Sequence, residues 1–311
     1  MARKLLFLLY IVIGQWPVWA VIWLLGIFHF WKVLFVIYPV NSSEYNKLSF
    51  DWPILRRLLS GRPLPAGIFL QPAGIYFFVS NRLESLAKVK NRPIAKKIEK
   101  RMRAARRLAR AEVVGFAGGL GYVLEKRHKI RMIHPFYDSS QGNVFCLCLY
   151  ISRYAPRGTI AIIGGGQLGS HLQSAIGRRA QIFRVRRLRR QGKYVLTCNM
   201  PQCDCIVNLL PSGNDFVNLG IDAGQHPVII DFSRPPIPSD AGYNVVAANK
   251  LQNPDLRFFP PLPGGWQTDE IPACSLPSLL AAQGDLSIAK NQYDFNIIAQ
   301  YMRFNAGGED A

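Results

Sequence analysis

Residues 159–178 read TIAIIGGGQLGSHLQSAIGR, and this stretch decides the reading of the whole chain. Thr159–Ile163 is a β-branched run of the kind found in buried parallel strands. It runs straight into Gly164-Gly165-Gly166-Gln167-Leu168-Gly169, after which Leu168, Leu172, Ala175 and Ile176 recur at helical spacing. This is G-x-G-x-x-G in a strand–turn–helix context. In that context Gly164 permits the tight turn, Gly166 lets backbone approach a pyrophosphate, and Gly169 lets the helix pack on the strand. The helix N-terminus then offers free amides to an anion, and Gln167 and Leu168 belong to the same cofactor-binding turn.

The sequence downstream of the turn predicts more of a doubly wound parallel sheet, Rossmann-like in class. Ala180–Val185 is the expected second strand. An acid about 20 residues after the turn would select NADH through the ribose 2′-hydroxyl. Here Arg184, Arg186 and Arg187 occupy that region and no acid is present. Arginines can clamp a 2′-phosphate bidentately, so NADPH is expected over NADH. In the alternative reading these arginines are only part of the general basic surface. Tyr194–Leu196, Cys205–Leu210, Pro227–Phe232 and Asn244–Ala247 are further candidate strands. Pro211, Ser212 and Asp231 lie at carboxyl ends, where such sheets bind ligands; Asp231 could equally cap a turn.

Upstream, Leu5–Tyr38 is almost continuously apolar, interrupted by Gln15, His29 and Lys32. A bilayer span needs about 20 such residues, so residues 1–40 are expected to form a membrane segment. It would be a single span from about Pro17 to Tyr38 behind an interfacial helix, or a re-entrant hairpin turning near Gly14–Pro17. No small-residue cleavage site follows, which disfavours a signal peptide. Residues 41–65, rich in breakers, read as a linker. Residues 66–140 read as a small α+β region: two strands at Gly67–Leu70 and Gly74–Val79, then a basic helix from about Arg82 to Arg110 with one apolar stripe. Residues 141–305 are assigned to the dinucleotide-binding domain.

The formal net charge of +19 calls for an anionic partner. Membrane lipid fits the apolar segment and the basic helix; the basic stretch lacks interleaved aromatics, so nucleic acid is not expected. The six cysteines include two C-x-C pairs but no metal-ligand spacing, so no metal site is expected. Reduced, buried thiols imply a main domain on the cytoplasmic side of a membrane.

Several segments, in order, resemble the long-chain acyl-(acyl-carrier-protein) reductases that form fatty aldehydes, and more distantly the shikimate dehydrogenase-like domains. They are Val114–Gly121, Gln141-Gly142-Asn143, the glycine turn, His226–Phe232 and Ala273–Leu280. The resemblance implies an NADPH-dependent reduction of a lipid-like substrate, in one reading carried on acyl-carrier protein. It also implies a C-terminal helix packing back on the domain. The family's nucleophilic cysteine would fall between Asn249 and Trp266, where this chain has none. Cys146 and Cys148 are candidate substitutes, and His128, His134, Tyr137 and Asp138 candidate proton donors or plain loop residues. His171 reads as structural, and no catalytic residue is assigned. The expected function is a membrane-attached NADPH-dependent oxidoreductase acting on a fatty acyl or fatty aldehyde-type substrate. The alternatives are a non-catalytic dinucleotide-binding membrane protein that regulates or senses, and a membrane interaction module with an empty turn.

Overall fold

Val33–Ile37 is five consecutive apolar residues, and every one is buried. In the computed structural model this run is not helix but strand β1, paired in parallel with β3 (Gly74–Val79) on one side and β4 (Val113–Phe116) on the other. The structure describes residues 14–39, 57–132, 135–138, 140–164, 166–187, 194–200, 202–222, 228–248, 250–252, 257–260, 267–268, 270–282 and 305–306. The chain divides into two compact units, residues 1–140 with 253–294, and residues 141–252 with 295–311.

The first unit is built on a six-stranded mixed sheet. Its order is a return strand (Arg257–Phe259), β2 (Pro63–Leu70), β3, β1, β4 and β5 (Phe136–Asp138). β3, β1, β4 and β5 are parallel; β2 runs antiparallel to both its neighbours. One face carries Leu34, Val36, Ile75, Phe77, Val114 and Phe116. Two helices cover it: α1 (Gln15–Ile27) and α2 (Arg92–Ala109). The other face meets a return helix (Leu276–Ala282), where a Cβ on Gly115 would lie 2.4 Å from Ser278 Oγ.

This arrangement corrects the expected membrane span. The end of the apolar run takes its backbone partners from β3 and β4, so it is core strand and not bilayer helix. Pro17 lies in the first turn of α1, which has 13 residues. Among the described residues no helix is long and apolar enough to cross a membrane. Residues 1–13 lie outside the described residues.

Two boundaries also move. Pro63 and Pro65, read as linker breakers, begin β2. The return strand pairs only with Ile68–Leu70, so among the described residues the proline half of β2 needs no donors on that edge. Residues 257–282, assigned to the second domain, belong to the first unit because their strand and helix complete its sheet and cover its face. The helix Ala273–Leu280, expected on the dinucleotide-binding domain, packs there instead. The basic helix breaks where Pro93 forces it: a short turn at Leu83–Leu86 precedes α2, which has Pro in its first turn.

The second unit opens with α3 (Ser140–Tyr154), followed by a five-stranded, wholly parallel sheet. Its strands are β6 (Ile160–Ile163), β7 (Ala180–Phe183), β10 (Cys205–Asn208), β11 (Val228–Asp231) and β12 (Val245–Ala247), in the order β7-β6-β10-β11-β12. Chain order thus reverses at β6, the doubly wound pattern with its switch point between β6 and β10. Helix α4 (Gln167–Ile176) follows β6 directly. Tyr194–Leu196 departs from expectation: as β9 it pairs antiparallel with β8 (Val185–Arg187) in a separate two-stranded hairpin.

If β1 is the central strand, Phe35→Ala should destabilise the first unit by about 3–5 kcal/mol, as loss of a buried aromatic does. Urea denaturation followed by circular dichroism measures this; a loss below about 1 kcal/mol would remove β1 from the core.

Candidate glycine-turn site

The three glycines of the turn differ in what surrounds them. Gly164 has φ +112°, a conformation L side chains avoid, and an added Cβ would lie 3.2 Å from Leu209 Cβ. Gly169 has no room: its Cβ would fall 2.4 Å from the Gly164 carbonyl oxygen and 3.5 Å from Ile162 Cγ2. Among the described residues Gly166 has no atom beyond its chain neighbours within 4 Å of the corresponding position. One glycine makes the turn, one brings helix against strand, and the one between faces open space.

Gly166 is also the N-cap of α4. It supplies no side-chain cap, and the first turn contains no acid. The cap residue therefore offers no side-chain partner to the orphan amides at this end, and the helix dipole favours negative charge there. Gln167 and Leu168, half-buried, form the start of that turn. Hydrogen bonds tie the turn into the sheet edge: the Gly164 N–H donates to the Phe183 carbonyl at 3.3 Å, and the Leu209 N–H to the Ile163 carbonyl at 2.9 Å. The turn thus sits at the switch point, at the carboxyl ends of β6, β7 and β10.

Arg184 comes immediately after Phe183 and is exposed. Its carbonyl accepts from the Thr197 N–H at 3.1 Å and Thr197 Oγ1 at 3.0 Å, which anchors the base of the hairpin. Arg186, exposed, and Arg187 continue along β8. The rest of the arginine run, residues 188–190, lies outside the described residues.

Asp231 is 1% exposed and acts as scaffold. Its Oδ1 accepts from Asn208 Nδ2 at 2.8 Å and the Ser233 N–H at 3.0 Å, and its Oδ2 from the Ile237 N–H at 2.7 Å. Asn208 Oδ1 in turn accepts from the Leu210 N–H at 3.1 Å. Asn208 and Asp231 are register partners, and together they fix the loops leaving β10 and β11. Sequence reasoning missed Asn208; the available signal was one amide inside the apolar run Cys205–Leu210. Ser212 caps the short helix α5 (Gly213–Val217), accepting from the Asn214 N–H at 3.3 Å, and Pro211 beside it is exposed.

The Cys146 thiol is buried and donates to the Ala248 carbonyl at 3.3 Å. Burial pushes the Cys148 thiol up to about 12, and burial with the neighbouring Cys203 does the same for Cys205. Thiolates, the nucleophilic form, are scarce at such sites. His171 is exposed on α4. His128 belongs to the first unit, where its buried Nε2 donates to the Leu86 carbonyl at 2.5 Å. Tyr137 and Asp138 lie in β5, and His134 lies outside the described residues. Among the described residues no group of His, Cys, Asp and Glu is placed to hold a metal.

No protein-family model matches this chain, and no curated protein matches it. Among solved structures it is similar to a shikimate 5-dehydrogenase-like protein, at 11% identity and a TM-score of 0.39, over 88% of this chain and 97% of that one. A likeness at this level carries no argument about activity.

The turn geometry makes a graded prediction for stability. Gly166→Ala should be neutral to within about 0.5 kcal/mol, since its side chain enters open space. Gly164→Ala and Gly169→Ala should each cost about 1–3 kcal/mol, through strain and through overpacking respectively. Thermal unfolding of the three variants checks the ranking, and a costly Gly166→Ala would mean the site is already filled by protein.

Proposed function

We propose that this chain is an NADPH-dependent oxidoreductase. The observation that carries the reading is the open position at Gly166, over the uncapped start of a ten-residue helix at the sheet's switch point. A pyrophosphate fits there: backbone amides face it, and among the described residues no side chain lies within 4 Å of the Gly166 position. The Gly164, Gly166 and Gly169 turn, with Gln167 and Leu168, would hold it. Exposed Arg184 and Arg186 fit an adenosine 2′-phosphate, because residues 184–193 contain no carboxylate to accept a 2′-hydroxyl. When bound, the nicotinamide supplies or accepts a hydride.

The chain's own residues bind and orient. Asn208 and Asp231 hold the β10 and β11 loops through buried hydrogen bonds, which leaves Pro211 and Ser212 at the carboxyl edge. The substrate we propose is a fatty acyl or fatty aldehyde-type carbonyl compound, supported by the resemblance of its segments to the fatty-aldehyde-forming reductases. The protonated thiols of half-buried Cys148 and buried Cys205 favour direct reduction of a carbonyl over passage through an acyl-enzyme. Among the described residues the cysteines form no disulfide, which fits a reducing compartment on the cytoplasmic side.

Fluorescence titration of the full chain with NADPH and NADH tests the reading. NADPH should bind in the micromolar range, typical of cofactor and substrate sites. NADH should bind at least about tenfold more weakly, and Arg184→Glu/Arg186→Glu should remove that preference. Gly166→Asp should abolish both. Equal binding of the two nucleotides, or binding of neither, would sink the proposal. Binding without NADPH consumption across a panel of acyl thioesters and aldehydes would favour the regulatory or sensing alternative, for which the fully engaged carboxylate of Asp231 also speaks.

A further inference from the structure

Helix α1 contains no charged residue, and its solvent face is apolar. Trp16 is 78% exposed, Trp23 51% and Phe28, just past the helix end, 75%; Val21, Leu24 and Ile27 are exposed between them. The opposite stripe, with Ile22 and Gly26, is buried against the sheet and α2. A groove of about 380 Å³ between Pro17, Val18 and Val21 of α1 and Pro65–Ile68 of β2 continues the apolar surface. An exposed patch with this many aromatics marks an interaction site.

The neighbouring helix says what kind of partner fits. Helix α2 carries Arg92, Lys96, Lys97, Lys100, Arg101, Arg103, Arg106 and Arg107 against the single acid Glu99, which is paired with Arg103. Burial, then the nearby charges of Arg101 and Arg62, lower the Lys97 pKa; burial, then Arg103 and Arg107, lower that of Arg106. The cations crowd one another. The two helices lie side by side: a Cβ on Gly26 would fall 2.8 Å from the Ala109 carbonyl oxygen. Both bury their inner stripes in one core cluster, so their outer faces, one apolar and aromatic, one cationic, adjoin on the same side of the sheet.

We propose that α1 and α2 form a docking surface for an anionic phospholipid bilayer, on which the first unit lies without these helices crossing it. α1 enters the headgroup–acyl boundary with Trp16, Trp23 and Phe28. Lys96, Lys100 and Arg107 of α2 meet lipid phosphates. Each half supplies what the other lacks: apolar area gives depth, and cations near an anionic surface give electrostatic attraction. A protein partner would match the apolar half but has no reason to need the adjoining cations, whereas an anionic membrane matches both. This surface lies within the first unit and does not depend on the nucleotide reading of the second.

The test is co-sedimentation of the full chain with vesicles of phosphatidylcholine alone or with 30% phosphatidylglycerol. The full chain should bind the anionic vesicles at least about tenfold more tightly, and lose most of that advantage between 50 and 500 mM salt. Lys96→Gln/Lys100→Gln/Arg107→Gln should reduce anionic-vesicle binding by about tenfold or more and erase the lipid preference. Trp23→Ser/Phe28→Ser should weaken binding to both vesicles while leaving the salt dependence. All these positions are exposed, and unchanged circular dichroism and thermal unfolding would confirm an intact fold. Equal binding to both lipids by the unaltered chain would overturn the proposal. So would indifference to either variant, or self-association into a dimer that covers α1 and excludes vesicles.

Discussion

Gly169 has no space for a side chain because the Gly164 carbonyl oxygen already occupies the place a Cβ would take. That contact fixes the start of α4 against the end of β6 as closely as two backbones can come. Everything proposed for the second unit depends on it. Held there, the helix aims its first amides along the sheet's carboxyl edge, and Gly166 sits above them with open space beside it among the described residues. Any side chain at 169 would lift the helix, and the turn would no longer present a concave backbone surface to a phosphate. The buried Asn208–Asp231 pair serves the same end one strand over, replacing water with fixed donors so that the neighbouring loops keep their shape.

The first unit answers a different physical demand. A strand as apolar as Val33–Ile37 must be covered on both faces, as parallel strands in α/β layers are. Helices α1 and α2 cover one face and the return helix the other, so the C-terminal segment comes back to complete a layer that the N-terminal part cannot finish alone. The covering of one face is where the surplus arises. Half of α1 is spent on the core and the other half stays exposed, beside a helix whose polar face is almost purely cationic. That outer surface, apolar and cationic at once, is the basis of the bilayer docking proposed above.

Much of the second unit was legible in the sequence because its signals are local. The glycine turn, the β-branched run before it, the helical spacing after it and the absence of an acid after β7 are all written within about thirty residues, and the strands Cys205–Asn208 and Val228–Asp231 stand out as short apolar runs. What was not legible depends on long-range pairing. The apolar stretch around β1 reads equally as bilayer helix or core strand until β3 and β4 are placed on either side of it. The role of residues 257–282 likewise depends on β2 and β4, far away in the chain. Asn208 gains its meaning only from the register that sets it opposite Asp231. The alternation in β8 is hidden by its arginines, so Tyr194–Leu196 reads as a strand of the main sheet until its pairing with β8 is known.

The central claim is that the first turn of α4 receives the pyrophosphate of NADPH. Hydrogen exchange at the amides of Gly166 to Ser170, measured on the full chain with and without saturating NADPH, tests it most directly. The account predicts slowed exchange at these amides on adding NADPH, and none in Gly166→Asp. Unchanged exchange there while NADPH is bound would place the nucleotide elsewhere and contradict the account.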